Sequence, residues 1–497
     1  MGIQGARWRN WSGSVVCAPR EVARPSNLDE LARMVGAYGR AGRHVRVVGA
    51  GHSFTPLVQT NDVLMTLDGM QGIEAVDAEY RVATPASRTA KQTPRVVPSG
   101  AERDATVRVL GGTKLKRLGD ELLARGLAQE NLGDIDVQSI AGAISTGTHG
   151  TGIGFGTLAT QVAGLTIVTA AGEVVECSEE RNPDIFKAAQ VSLGALGVLA
   201  AVTLRVVPAK RLRFQARRET LEHCLANLER YKRESSHFEF FWFPYGKWVQ
   251  AKFLNETEAP AKGSNAWGTF NKIVMENGLF WALSEVSRLA PPLAPGISRL
   301  SGWGISNVDE TDYSHRLFAT PRVVRFQEME YNIPAESFPA VIEEVRSCIE
   351  KHHFQVNFPV ECRFVRGDDI WLSPAYLRDS AYIAVHMYRG MEYMPYFRAV
   401  EEIFARYQGR PHWGKMHTRT AAQLAALYPR WDDFRRVRAA LDPRGVFLND
   451  YLRGLFGAGE PHPRPRPASA SEQATLRREP LSHGERGATI QAGGDHE

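Results

Sequence analysis

The sequence has no pattern of paired cysteines. Its five, Cys17, Cys177, Cys224, Cys348 and Cys362, lie far apart, form no Cys-x-x-Cys and are odd in number, which argues against a disulfide framework and a cysteine zinc site. A reducing compartment is the simpler setting. It also lacks the run of about 18 uninterrupted apolar residues that a spanning helix needs. The nearest stretch, Gly278 to Leu300, is interrupted by Ser284, Glu285, Ser287 and Arg288 and broken by Pro291, Pro292 and Pro295, so it reads as a buried or surface helix followed by a loop. Met1 to Trp8 contains no apolar core of a signal peptide. Together these absences predict a cytoplasmic protein, with loose membrane association allowed and no firm insertion. There is no Gly-x-Ser-x-Gly elbow and no P-loop, which argues against a hydrolase and a P-loop nucleotide enzyme. No group of His, Cys, Asp and Glu has metal-ligand spacing, so no metal is expected. The net charge of +5 is too mild to mark a nucleic-acid binder.

What is present is ordinary globular material, 43% hydrophobic and 23% charged. A chain of 497 residues exceeds the size at which one core stops growing, so two domains are expected. Ser26-Asn27-Leu28-Asp29 resembles a capping box, and Leu28, Leu31, Ala32, Val35 and Tyr38 recur at helical spacing up to a stop at Gly42. Val45 to Val48 then reads as a strand that delivers the chain into Gly49-Ala50-Gly51-His52-Ser53. Another strand is expected at Val63 to Leu67, a surface insertion at Arg81 to Thr106, and a helix at Lys114 to Arg125. Paired strands follow at Val162 to Thr169 and Glu173 to Cys177, then a strand from Leu199 to Val207, with Pro208 closing a first domain of residues 1–208. Residues 209–456 form a second, mixed domain. From 457 on the chain is rich in Pro, Arg, Ser, Gly and His and reads as a disordered tail.

A strand leading into Gly-x-Gly suggests a Rossmann turn, but Phe54 stands where the third glycine belongs and no helix follows. The loop can still present consecutive backbone N–H groups to phosphate oxygens. The stretch from Gly133 to Gly154 strengthens that reading, because Gly142, Gly147, Gly150, Gly152 and Gly154 alternate with Ser139, Ser145, Thr146, Thr148 and Thr151. Small residues admit a ligand close to backbone and hydroxyls hydrogen-bond to it, so this is a ligand loop. Further on, Phe354 to Arg366 and Tyr382 to Tyr388 read as neighbouring strands. Period-two geometry puts Glu361 with Arg363 on one face, and His386 with Tyr382 and Tyr388 on one face of the other. By themselves Glu361 and Arg363 would pass for a solvated surface pair, and His386 for a packing residue.

Asn10-Trp11-Ser12-Gly13, Val47 to Pro56, Gly133 to Gly154, His412-Trp413-Gly414-Lys415 and Asp442-Pro443 through Asn449-Asp450-Tyr451 together resemble the sugar-1,4-lactone oxidases. These include L-gulonolactone and D-arabinonolactone oxidases, among the flavoproteins of the vanillyl-alcohol-oxidase type. The resemblance spans about Arg7 to Phe456 and implies an α+β fold, with a two-lobed FAD-binding domain followed by an α+β substrate domain. It implies that Gly49, Ala50, Gly51, His52 and Ser53 cradle the FAD pyrophosphate. Ser139, Gly142, Thr146, Gly147, Thr148 and His149 would wrap the cofactor, and Val198 would line its adenine side. It further implies a bond from His52 to the flavin 8α-methyl group, against the alternative of an imidazole packed beside a non-covalent flavin. Glu361 and Arg363 would face the flavin ring, Lys415 would sit near flavin N1, and His386 and Asp134 would contact substrate. The expected reaction is oxidation of a sugar lactone at a secondary hydroxyl, with oxygen or another acceptor reoxidising the flavin. Alditol oxidation is the nearest alternative, and a flavin-binding module without turnover is another.

Overall fold

The computed structural model describes residues 7–78, 105–261, 277–319 and 324–456. The tail expected from 457 on lies outside these residues, as does the Arg81 to Thr106 insertion apart from Ala105 and Thr106. Those two open the strand Ala105–Leu110.

After a short antiparallel ribbon, Trp8–Arg9 with Val16–Cys17, come three parallel strands in the order Glu21–Ala23, Val63–Thr66, Val45–Val48. The helix Leu28–Arg40 packs on them through Leu31, Val35 and Tyr38. Its cap is one residue later than the sequence suggests. The Asn27 side chain accepts from the Glu30 N–H, while the Glu30 carboxylate accepts from the N–H and hydroxyl of Ser26. Glu30 thus supplies the carboxylate that Asp29 was expected to give.

A six-stranded antiparallel sheet follows, with Val198–Pro208 in its interior between Val162–Val168 and Ala105–Leu110. Val162–Val168 and Val174–Ser178 pair as the sequence predicts. The hydroxyl-rich run from Gly133 to Gly154 is not loop throughout, because Ile140–Ser145 forms a short helix whose Ile140, Ala143 and Ile144 are fully buried. Those three apolar residues drive the turn into the core, and the glycines on either side remain irregular.

Residues 211 to 411 build an eight-stranded sheet with its helices, while the helical segment between Ala421 and Phe456 returns to pack into the cores of the first lobe. The centre of this sheet runs His237–Trp242, Val360–Val365, Ser380–Tyr388, Phe326–Pro334, all antiparallel. One face carries Phe240, Cys362, Ile383, Val385 and Met329 against the helices Phe338–Lys351 and Met394–Arg406. The opposite face carries Glu239, Arg363, Glu361, Tyr382, His386, Glu328 and Glu330, all but Glu239 buried. A sheet apolar on one side and charged on the other makes sense only if the charges meet one another. The expected α+β architecture is therefore realised, and the expected pairing of the Glu361 and His386 strands with it.

The stretch Gly278 to Leu300 departs from the sequence reading. The predicted loop after the helix Asn277–Leu289 is instead a 3-10 turn, Pro291–Leu293, leading into a second helix, Ala294–Trp303. Pro295 sits in the first turn of that helix, where a missing N–H costs nothing.

Candidate active site

Gly49 to Ser53 follows directly on the strand Val45–Val48 and borders a cleft of about 960 Å³. Gly49, Ala50, Gly51, His52, Ser53, Ser139, Gly142, Thr146 and Val198 all line it. Ser145, one of the hydroxyls of the expected ligand loop, lines it too, as do Lys114, Gln138, Gly194 and Gly197, which the sequence did not single out as contacts. Gly147, Thr148 and His149 fall outside its lining. Gly147 abuts Pro374, and His149 turns towards the large sheet.

The glycines are needed where they stand. A Cβ on Gly49 would lie 2.3 Å from the Ser139 hydroxyl oxygen, and Gly51 has a φ of +70°, a conformation costly for any other residue. Cβ atoms on Gly111 and Gly112 would meet the Leu199 and Leu67 carbonyls at 2.1 and 1.9 Å. The loop is also held from outside. Asn10 donates to the Ser53 carbonyl at 2.9 Å and the Trp11 N–H to Gly51 at 2.9 Å, while the Trp11 ring stacks on His52 at 5.3 Å. Asn449 donates to the Pro56 and Gln59 carbonyls at 2.8 and 2.9 Å. A cleft lined by backbone, hydroxyls and the apolar side chains of Leu57, Val58, Leu67 and Leu199, with glycines where backbone comes close, fits an extended dinucleotide such as FAD.

The second half of the site is the charged face of the large sheet. Arg363 donates from Nε to Glu239 at 2.8 Å, and its Nη2 meets Glu361 and, at 3.4 Å, Asp134. Burial opposes the charge on this guanidinium, but Glu361, Glu239 and Asp134 outweigh it and hold the Arg363 pKa well above its ordinary value. His386 Nε2 stands 3.9 Å from Glu361 and 3.5 Å from Glu328, and its Nδ1 lies 3.0 Å from the Pro359 carbonyl oxygen. Glu328 in turn binds Lys415 at 2.5 Å. Burial by itself would raise the Glu328 carboxyl; Lys415 first and His386 next bring it down to about 2. Lys415 is raised for the converse reason, with Glu328 and Glu330 overcoming its burial. A pocket lined also by Leu132, Phe214 and Phe318 reaches Arg363, Asp134 and Glu239.

The two halves are stitched together by backbone. The Phe54 N–H donates to the Gly414 carbonyl at 2.7 Å, and the Thr55 hydroxyl to the Trp413 carbonyl at 3.0 Å. The loop Gly49 to Ser53 and Lys415 are therefore fixed to each other within a few residues. All of Glu361, Arg363, Lys415, His386 and Asp134 meet in one network.

Glu239, Glu328 and Glu330 belong to that network and were missed by the sequence reading. Alternation in Phe326-Gln327-Glu328-Met329-Glu330-Tyr331 would have flagged two carboxylates on one face of a strand. The sequence reading also expected no metal-type cluster, yet among the described residues His149, Glu330 and His412 converge in the core. Their hydrogen bonds do not favour an ion. The Gly414 N–H donates to His412 Nδ1 at 3.0 Å, which places the single ring hydrogen of a neutral imidazole on the other nitrogen and leaves no lone pair there for a metal. Burial holds His412 neutral by lowering its pKa to about 3, with Glu330 opposing.

Comparison with known proteins agrees with this geometry. A profile of FAD binding domains matches residues 19–87 and 95–178. The crystal structure of cholesterol oxidase from B. sterolicum superposes with a TM-score of 0.73 at 19% identity, covering 91% of this chain and 97% of that one. The fold is thus the vanillyl-alcohol-oxidase type with an FAD-binding domain, and its relatives make the protein an FAD-dependent oxidoreductase acting on CH–OH groups. Within that class, a profile for D-arabinono-1,4-lactone oxidase matches residues 202–455. The L-gulono-1,4-lactone dehydrogenase of Mycobacterium tuberculosis is 42% identical over 450 residues, 90% of this chain and 99% of the relative. The L-gulonolactone oxidase of Mus musculus is 33% identical, with 92% and 99% covered. An alditol oxidase of Streptomyces sp. is 30% identical, with 90% and 98% covered. The chain belongs to the sugar-1,4-lactone oxidase family.

Proposed function

We propose that this enzyme oxidises the C2 hydroxyl of an L-gulono-, L-galactono- or D-arabinono-1,4-lactone to a ketone, and that residues 1–208 hold FAD while 209–456 hold the lactone. The observation that carries this reading is the Glu361, Arg363 and His386 constellation, bound through Glu328 to Lys415 and thence to the loop Gly49 to Ser53. FAD bound in the cleft supplies the hydride acceptor, N5 of its flavin ring.

Arg363, with its orientation set by Glu239 and Asp134, hydrogen-bonds the substrate hydroxyl oxygen and stabilises the negative charge that grows there as the C–H bond breaks. Glu361 takes the hydroxyl proton, and His386 at 3.9 Å is the next group along its exit. Lys415, anchored by Glu328, offsets the negative charge gained by the cofactor on reduction. His52, positioned by Trp11, would hold the flavin covalently, its imidazole nitrogen replacing one hydrogen of the 8α-methyl group while two protons and two electrons leave to the acceptor that reoxidises the flavin. Oxygen or another two-electron acceptor completes the cycle. The reading places the enzyme in the cytoplasm; among the described residues no helix is long and apolar enough to cross a membrane.

The charge inventory supports an uncharged substrate. Asp134, Glu239, Glu328, Glu330 and Glu361 face Arg363, Lys415 and Lys252, so carboxylates outnumber fixed cations. A neutral lactone is compatible with that surplus and an open-chain aldonate is repelled. The alditol reading shares this neutrality and draws on the Streptomyces relative. Anaerobic bleaching of the flavin by gulono-, galactono- and arabinono-1,4-lactone, measured beside xylitol and sorbitol, tests the choice. Bleaching by polyols alone overturns the lactone reading.

A further inference from the structure

Seven of the fourteen large hydrophobic side chains exposed among the described residues lie between Leu279 and Trp303, and the other seven are scattered. In the helix Asn277–Leu289 the usual polarity is inverted. Ser284 and Ser287 point inward with no exposure, whereas Leu279, Trp281 and Leu289 are 64%, 52% and 73% exposed. The inward serines satisfy themselves on the helix, donating to the Phe280 and Leu283 carbonyls, and Asn357 donates to the Ser284 hydroxyl at 3.1 Å. The adjoining helix Ala294–Trp303 repeats the inversion, with Ser298 fully buried and Leu300 and Trp303 outside. A water-facing helix shows the opposite arrangement. Leu293, in the turn between the two helices, adds to the same exposed face.

We infer that this helix pair is a docking face for an anionic lipid surface. Charge complementarity identifies the occupant. Glu285 is the one acidic residue between Asn277 and Trp303, and it is tied to Arg288 and to the Tyr388 hydroxyl. Arg288, Arg299, Lys247 and Arg218 are exposed beside the apolar face, and Arg218 reaches the Trp303 carbonyl while lying over the Trp248 ring at 4.8 Å. Exposed indoles within a cationic border suit the headgroup boundary, where an apolar body and a polar N–H are both satisfied. Helices of 13 and 10 residues joined by prolines are too short to span a bilayer, so they lie along its surface.

The same helix is tied to the reaction centre. Phe280 packs on Phe358 at 4.9 Å between ring centres, and Phe358 stands 6.3 Å from His386. Docking therefore brings the charged sheet face close to the lipid boundary.

Co-sedimentation of the full-length holoenzyme with phosphatidylcholine vesicles, with and without phosphatidylglycerol, tests the inference, with lactone turnover measured separately in detergent-free buffer. Binding to the anionic vesicles is expected, with a blue shift of tryptophan emission. It should be abolished in a Leu289→Ser/Trp303→Ser variant that keeps its flavin spectrum and turnover. Arg288→Gln and Arg299→Gln should each weaken binding about fivefold, as expected for one interfacial cation. Equal binding by the double variant, or no binding by the parent protein, overturns the proposal. So does a lower oligomeric state in the double variant than in the parent without a change in vesicle binding, which would make a second copy of the chain the occupant. None of these outcomes bears on whether the lactone is the substrate.

Discussion

Arg363 can be understood only through the acids around it. A guanidinium can satisfy Glu239 through Nε while its other nitrogen serves Glu361 and Asp134; an ammonium offers a single point of charge and cannot. Arg363→Lys should therefore lower kcat/KM by about 10²- to 10³-fold while flavin stays bound, as stopped-flow reduction by a lactone would show. Lys415→Met should cost both activity and stability, since it strands the buried Glu328 carboxylate, a loss on the order of 3–5 kcal/mol. Adding Glu328→Gln should restore the urea midpoint without restoring turnover. If the midpoint does not recover, the two side chains are not acting as a pair. At this scale the sequence was partly transparent. Glu361 and Arg363 could be placed on one face by period two, and their chemistry came from the family likeness. Glu239 lies more than a hundred residues upstream on a strand whose neighbour no local pattern reveals, so the third and fourth sides of the site stayed hidden.

Among the elements, the glycine loop and the short helix at Ser139 are matched to each other. Gly49→Ala should lower FAD affinity at least about tenfold in a fluorescence titration, because the new methyl meets the Ser139 hydroxyl oxygen. Ser139→Ala should rescue it, since the next atom met, the Ser139 Cβ, is at an ordinary contact distance of 3.4 Å. The strand and turn of this lobe were legible because β-branched runs and glycines act locally. The helix Ile140–Ser145 was not, as three apolar residues among glycines and hydroxyls give too short a pattern to outweigh its surroundings. The inverted helices near residue 290 escaped for a different reason. Periodicity shows that a helix has two faces, and only packing shows which of them the core accepts.

The whole molecule should lose stability in mild acid. Burial keeps His237, His412 and His417 neutral, with pKa values lowered to about 4, 3 and 4. In the unfolded chain they titrate near 6.5, so as the pH falls below that value the unfolded state takes up protons that the folded state refuses. Their contribution is complete above pH 6.5 and is lost from there down to about pH 3 to 4, at roughly 1.4 kcal/mol per pH unit for each histidine. Urea midpoints measured from pH 7 to 5 should decline, and His237→Gln should flatten the decline. A slope unchanged in that variant would exclude His237 as a source. The loop Gly49 to Ser53 also has a consequence for how the protein is made. It leads directly into a segment pinned by Gly414 and by Asn449, and the strand before it carries Arg46, which donates to the Leu193, Gly194 and Phe447 carbonyls. Gly414, Phe447 and Asn449 are synthesised long after the loop they hold. The glycine loop, though encoded near the amino end, cannot be finished until nearly all of the described chain has been synthesised, so a nascent polypeptide halted at residue 208 should emerge colourless and remain so when supplied with FAD.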